Sequence, residues 1–263
     1  GQTQPVTGVG FLPDAVIFRW AVAASPDAGP TRANLNEGFG WMIGNGSSAC
    51  IAMGRQDNAD PYAARSIIHN DRCISKWYTS DTGQASFGSM DADGFSVTIE
   101  TQFTTALVVF YTAISGKQFN QIEFANPGST GQQSYTGAGF RPTFAMFIGA
   151  DSGSYGSQIT DVRVGMGAAI GSDADQQFTW ANYENDGAGS GTSDAYCRRT
   201  ECLSLVDTSP IIRASLVEFT SDGLDLNYLE AGGGGDEKFV ALVSDGRWFV
   251  GVDDLPGSTD EYT

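Results

Sequence analysis

The sequence predicts an all-β protein built from two tandem homologous units, each a β-sandwich or flattened barrel. Three observations predict it. The chain repeats itself at a spacing close to 129 residues. Its apolar stretches are short and lie between clusters of Gly, Asp, Asn and Ser. No segment sustains the 3.6-residue period of an amphipathic helix.

The repeat is the strongest signal. Thr7-Gly8-Val9-Gly10-Phe11-Leu12-Pro13 returns as Thr136-Gly137-Ala138-Gly139-Phe140-Arg141-Pro142 at an offset of 129. Cys73-Ile74 returns as Cys202-Leu203, and Asp93-Gly94-Phe95 as Asp222-Gly223-Leu224, both at 129. Gly38-Phe39-Gly40 matches Gly165-Met166-Gly167 at 127, and the stretch from Leu107 to Gly116 matches that from Glu237 to Gly246 at 130. Pro127-Gly128-Ser129-Thr130 recurs as Pro256-Gly257-Ser258-Thr259. The expected organisation is unit 1 over 1–118, a linker over 119–135, unit 2 over 136–247, and a tail or the start of a further repeat over 248–263.

Within unit 1 the strand candidates are Ala15–Ala21, Gly38–Ile43, Cys50–Gly54, Arg72–Tyr78, Phe95–Glu100 and Ala106–Ala113. Within unit 2 they are Thr143–Gly149, Asp161–Ile170, Gln177–Ala181, Glu201–Val206, Leu224–Tyr228 and Lys238–Val243. Ser96 to Glu100 alternates polar and apolar, as a half-buried strand does. Leu107 to Tyr111 is continuously apolar, which suits burial on both faces. One short helix is a candidate at Pro61–Arg65, with Asp60 as its cap; a loop is the competing reading. Gly8 and Gly10, like Gly137 and Gly139, suit a bend that needs positive φ or close packing. Phe11 and Phe140 are expected to plug the core beside that bend. Gly232 to Gly235 is expected to form a loop tip.

Composition narrows the function. Of 263 residues, 41% are hydrophobic, enough for a sizeable core, and only 17% are charged. The net charge of −17 is uneven: residues 1–130 carry 11 acids and 7 bases, residues 131–263 carry 20 and 7. That field repels nucleic acid and anionic membranes. No apolar run approaches the roughly 20 residues needed to span a bilayer. The opening Gly1-Gln2-Thr3-Gln4-Pro5 has neither the basic nor the apolar region of a secretion signal. Cys50, Cys73, Cys197 and Cys202 lack the C-x-x-C spacing of a zinc site. They read first as small buried residues, with a Cys50–Cys73 disulfide as the alternative.

The residues point away from catalysis, and no catalytic, cofactor-binding or metal-ligating residue is assigned. A serine hydrolase triad needs a histidine. The one histidine, His69, has Arg198 at the equivalent position and is expected on the surface or in a loop. No Gly-x-Ser-x-Gly elbow or phosphate-binding loop is present. Glu100 and Glu230 are near-equivalent carboxylates, but equivalents in separate units would not face each other as a glycosidase pair must. Asp91-Ala92-Asp93-Gly94 resembles the opening of a calcium loop, yet Phe95-Ser96-Val97 follows and a turn before a strand is the better reading. Asp151-Ser152-Gly153 and Asp173-Ala174-Asp175 are similar, and a weakly held divalent ion on the acidic second unit stays open. Trp20, Trp41, Trp77, Trp180 and Trp248 are expected in cores or interfaces, with a carbohydrate platform as the alternative.

The Thr-Gly-x-Gly-Phe-x-Pro phrase, followed by an apolar strand ending in Phe18 or Phe147, resembles a repeated domain of tailed-phage virion proteins. Ser89 to Phe95 and Tyr111 to Gly116 are similar to the same domain. The resemblance covers most of both units. It implies a non-enzymatic virion component: a capsid decoration, a head or tail appendage, or a tail-fibre module. Such a protein would need no cofactor. It would bind copies of itself and other virion proteins, without nucleic acid and without membrane insertion. It would assemble in the host cytoplasm and leave with the particle. The alternative is a carbohydrate-binding adhesin that recognises a host-surface glycan.

Overall fold

A computed structural model describes residues 1–22, 36–55, 63–78, 81–173, 176–185, 192–232 and 236–250. All regular structure among them is β. The first unit runs β1 (Gln2–Thr7), β2 (Ala15–Val22), β3 (Asn36–Ile43), β4 (Ser48–Arg55), β5 (Ala64–His69), β6 (Ile74–Tyr78), β7 (Asp81–Asp91), β8 (Gly94–Thr101) and β9 (Leu107–Ile114). The second runs β10 (Phe119–Ala125), β11 (Gly131–Thr136), β12 (Phe144–Ala150), β13 (Ile159–Thr160), β14 (Val162–Ala169), β15 (Gln177–Glu184), β16 (Ser193–Arg198), β17 (Leu203–Val206), β18 (Pro210–Thr220), β19 (Gly223–Ala231) and β20 (Lys238–Ser244). Every strand candidate from the sequence overlaps one of these, with ends that differ by up to three residues.

The strands form four sheets, ordered β1-β8-β7-β6, β13-β5-β4-β3-β2-β9, β10-β20-β12-β14-β15-β16 and β11-β19-β18-β17. In each unit a four-stranded outer sheet covers one face of a six-stranded inner sheet. Phe18, Trp20, Cys50, Cys73 and Phe95 fill the first sandwich. Phe147, Cys202, Leu226, Tyr228 and Phe239 fill the second. The inner sheets then pack against each other through Trp41, Ile51, Ile68, Ile148, Val164 and Leu242. The stack is therefore four layers deep, and the inner strands are covered on both faces. That is why Ser48 to Gly54 of β4 is buried without a break and why β20 reads as one apolar run.

Several expectations change. The stretch 119–135, expected as a linker, supplies β10 and β11. β10 pairs with β20 over Phe119↔Ser244 to Ala125↔Lys238, and β11 pairs with β19. β11 is a polar edge strand, and β10 breaks up its apolar Phe119, Ile122 and Phe124 with Asn120, Gln121 and Glu123. Leu107 to Tyr111 is not buried on both faces: β9 is an edge strand, with Phe110 61% and Tyr111 46% exposed. Its apolar run mirrors β20, but no strand among the described residues covers its outer edge. In the helix candidate, Ala64 and Arg65 open β5, while Pro61 and Tyr62 lie outside the described residues, as do Gly233 to Gly235, Ala174 and Asp175. Phe11 points outward at 37% exposure, and the core plugs beside the bends are Val9 and the buried Ala138, with Phe140 part-buried.

Two elements lace the units together. β10 follows unit 1 but completes the inner sheet of unit 2. β13 belongs to unit 2 but pairs with β5 of unit 1, Ile159 opposite Ser66 and Thr160 opposite Arg65.

Candidate functional site

The repeated sequence anchors resolve into one local device in each unit. Gly8 and Gly10 adopt φ of 86° and 84°, Gly137 and Gly139 of 106° and 78°. These left-handed positions turn their amides toward the β7–β8 or β18–β19 hairpin. There the Asp93 carboxylate accepts the amides of Gly8 at 3.0 Å and Gly10 at 2.8 Å. Asp222 accepts Gly137 at 3.3 Å and Gly139 at 2.6 Å. The calcium-like Asp91-Ala92-Asp93-Gly94 stretch is thus a turn whose second Asp clasps a backbone concavity of the kind that binds anions.

Five carboxylates of unit 2 gather on two arginines. Arg163 meets Asp151, Asp161 and Asp207, the last two at 3.3 and 3.1 Å. Arg213 meets the buried Glu201 at 2.5 Å and Glu230 at 3.0 Å, and Glu201 also accepts the Tyr196 hydroxyl at 2.9 Å. The hydrogen bonds that Arg213 donates to Glu201 push the Arg213 pKa up. Among the described residues no group of three His, Cys, Asp or Glu is arranged to hold a metal ion. Glu100 and Glu230 lie on β8 and β19, in the two opposite outer sheets. They do not come together.

His69 differs from its sequence expectation. It ends β5 and is buried, because β5 lies in an inner sheet covered on both faces. Its Nε2 lies 3.3 Å from the Ser75 hydroxyl and 3.4 Å from the Gln84 amide. Its Nδ1 lies 3.8 Å from Asp71. The connectivity is that of a Ser-His-Asp set, which chain spacing alone did not reveal. Ser75 is fully buried, so its hydroxyl has no surface on which a substrate carbonyl could approach. Burial pushes the imidazole pKa down to about 4, with Arg72 adding to the effect and Asp71 opposing it.

That depression has a measurable consequence. When unfolded, His69 takes up a proton near 6.5; when folded, it stays neutral to about pH 4. The unfolded state binds more protons between those values, so stability falls as pH drops through that window, by about 3 kcal/mol across it. His69→Gln is expected to flatten this loss in urea unfolding at about pH 7 and about pH 4.5. Equal losses in both proteins would show that His69 is not the responsible group.

The four cysteines are free thiols, with Cys50, Cys73 and Cys202 buried and Cys197 exposed. The Cys50–Cys73 disulfide does not form. Burial pushes the Cys73 thiol up to about 12 and raises the Cys50 and Cys202 pKa values as well.

Two surfaces among the described residues offer apolar side chains for contact. One is a cleft of about 230 Å³ where the inner sheets part, lined by Arg19, Glu37, Phe39, Met53, Met166 and Trp180. Asn182, Tyr183 and Asp194 line its continuation beside the Arg55–Glu184 ion pair at 3.0 Å. Trp20 and Trp41 are core residues, so Trp180 is the tryptophan this cleft presents. The other surface is the edge of β9 that no strand among the described residues covers. Neither a protein-family model, nor a curated protein, nor a solved structure matches the chain.

Proposed function

We propose that this chain is a non-enzymatic structural component of a tailed-phage virion: a capsid decoration, a head or tail appendage, or a tail-fibre module. It acts through protein–protein contacts with copies of itself and with neighbouring virion proteins. The observation that carries the reading is the use of the Thr-Gly-x-Gly-Phe-x-Pro phrase. In both units it is spent on the same packing clasp, closed by Asp93 or Asp222. The shared motif thus specifies a scaffold and leaves loops and edges for contacts. An apolar strand edge at β9 and a strongly acidic surface suit a soluble part that pairs with selected neighbours.

Light scattering on the size-separated chain tests this. The expected result is a discrete multimer, with no turnover on a panel of esters and polysaccharides. A monomer at every concentration would overturn it. The cleft beside Trp180 favours one second reading, a carbohydrate-binding adhesin, because an aromatic ring there stands near Glu37, Asn182 and Asp194. Saturable binding on a glycan panel, lost in Trp180→Ala, would establish that reading instead.

A further inference from the structure

The two inner sheets differ at one position. In unit 2 the strand next to β12 is β20, and β10 covers it. In unit 1 the strand next to β2 is β9, and among the described residues nothing pairs with its other side. The two edges are equivalent by register: Ala15 faces Ile114, and Phe144, its counterpart at offset 129, faces Ser244. The uncovered edge carries Phe110 and Tyr111, both exposed. An apolar edge of this length is a template for another strand. Among the described residues the edges at β1, β11 and β16 carry mostly polar side chains, while the outer edge of β10 alternates Phe119, Ile122 and Phe124 with Asn, Gln and Glu.

The sequence repeats the flanks of the covering strand, and between them Phe119, Ile122 and Glu123 are answered by Phe249, Val252 and Asp253. Gly116-Lys117-Gln118-Phe119 before β10 recurs as Gly246-Arg247-Trp248-Phe249, and the Pro-Gly-Ser-Thr after β10 recurs at Pro256. β10 leaves unit 1 and completes the sheet of the unit that follows. The segment after β20 stands in the same relation to unit 2. Its Phe249, the equivalent of Phe119, is 90% exposed.

We propose that the segment from Phe249 to Asp254 of one copy adds as an antiparallel strand to the open edge of β9 in a second copy. The register of β10 on β20 places Phe249 opposite Ile114, Gly251 opposite Thr112 and Val252 opposite Tyr111. Val252 then covers the side of the sheet on which Tyr111 packs edge-on against Phe95 at 5.1 Å. Val250 exchanges its present contacts with Phe144 and Ala168 for the neighbour. The contact is head-to-tail, so repetition closes into a ring or extends as a filament. The proposal deepens the self-assembling reading above and rests on it for the presence of neighbouring copies.

The test combines chain mass with a cross-link, in a Cys197→Ser background. The full chain is expected to be multimeric. Removing residues 251–263, or substituting Phe110→Lys at the exposed edge, is expected to return the mass to one chain without changing the melting temperature. Mixing Thr112→Cys chains with Gly251→Cys chains is expected to give disulfide-linked pairs. A multimer that survives both changes overturns strand donation while leaving self-assembly standing. A full chain that is monomeric at every concentration overturns both. A Thr112→Cys/Gly251→Cys double variant that closes within single chains, with no link between chains, also overturns the proposal.

Discussion

Gly167→Ala is expected to prevent unit 2 from closing its sandwich. Gly167 lies on β14, and a Cβ there would sit 2.0 Å from the Cys202 carbonyl oxygen and 2.6 Å from that of Phe178. Both obstacles are backbone, so no side-chain rotation relieves them. Gly165 is similar, with the Ser204 carbonyl 1.9 Å away. In unit 1 the equivalent Gly40 lies under the Cys73 carbonyl at 2.3 Å. Gly165 and Gly167 on β14 and Gly40 on β3 thus let the outer sheet approach the inner one backbone to backbone, while Gly38 makes room for the Trp20 ring. Overpacking a core costs about 1–3 kcal/mol when side chains absorb it; here β17 itself must move, so the loss should reach the top of that range or exceed it. Thermal unfolding checks this against Gly153→Ala, whose Cβ would meet nothing within 4 Å. A Gly167→Ala protein as stable as that control would show that the outer sheet shifts freely.

Trp41→Ala is expected to cost about 3–5 kcal/mol, the usual loss for deleting a buried large aromatic. Trp41 is fully buried between the two inner sheets. Its ring meets Phe39 edge-on at 6.3 Å, and its Nε1 donates to the Gln121 Oε1 of β10 at 3.1 Å. The change therefore strikes the joint between the units as well as one core. Denaturant unfolding should show the lower stability and two separated transitions, one for each unit. A loss under about 1 kcal/mol would mean that the face between the units contributes little.

Much of the fold was legible in the sequence because its signals are local. Apolar runs bounded by turn residues located twelve strands, and the repeated Gly, Cys and Asp-Gly anchors located two units. Eight described strands were missed: β13 is two residues long, β16 is a polar edge, and β5 and β18 were passed over although Ile67-Ile68 and the alternating Ile212, Ala214 and Leu216 carry an apolar signal. β1 and β11 are polar edges, β7 is rich in Gly and Ser, and β10 lies inside the expected linker. The candidate contact surfaces were less legible. An apolar run such as Leu107 to Tyr111 reports affinity for cover, while strand order decides whether cover is present. His69 was misplaced for a related reason. A single His between Ile68 and Asn70 carries no mark of which layer its strand will occupy.

The sequence by itself determined the all-β class, the duplication and the turn chemistry, since periodicity and glycine placement act over a few residues. Tertiary structure alone decided that the units stack through their inner sheets. It decided that Asp93 and Asp222 grip glycines more than 80 residues away in the chain, and that carboxylates of unit 2 converge on Arg163 and Arg213. It also decided that β10 covers β20 while no strand among the described residues covers β9. These outcomes depend on which surfaces meet across the chain, and composition and spacing encode the tendency to be buried without naming the neighbour that does the burying.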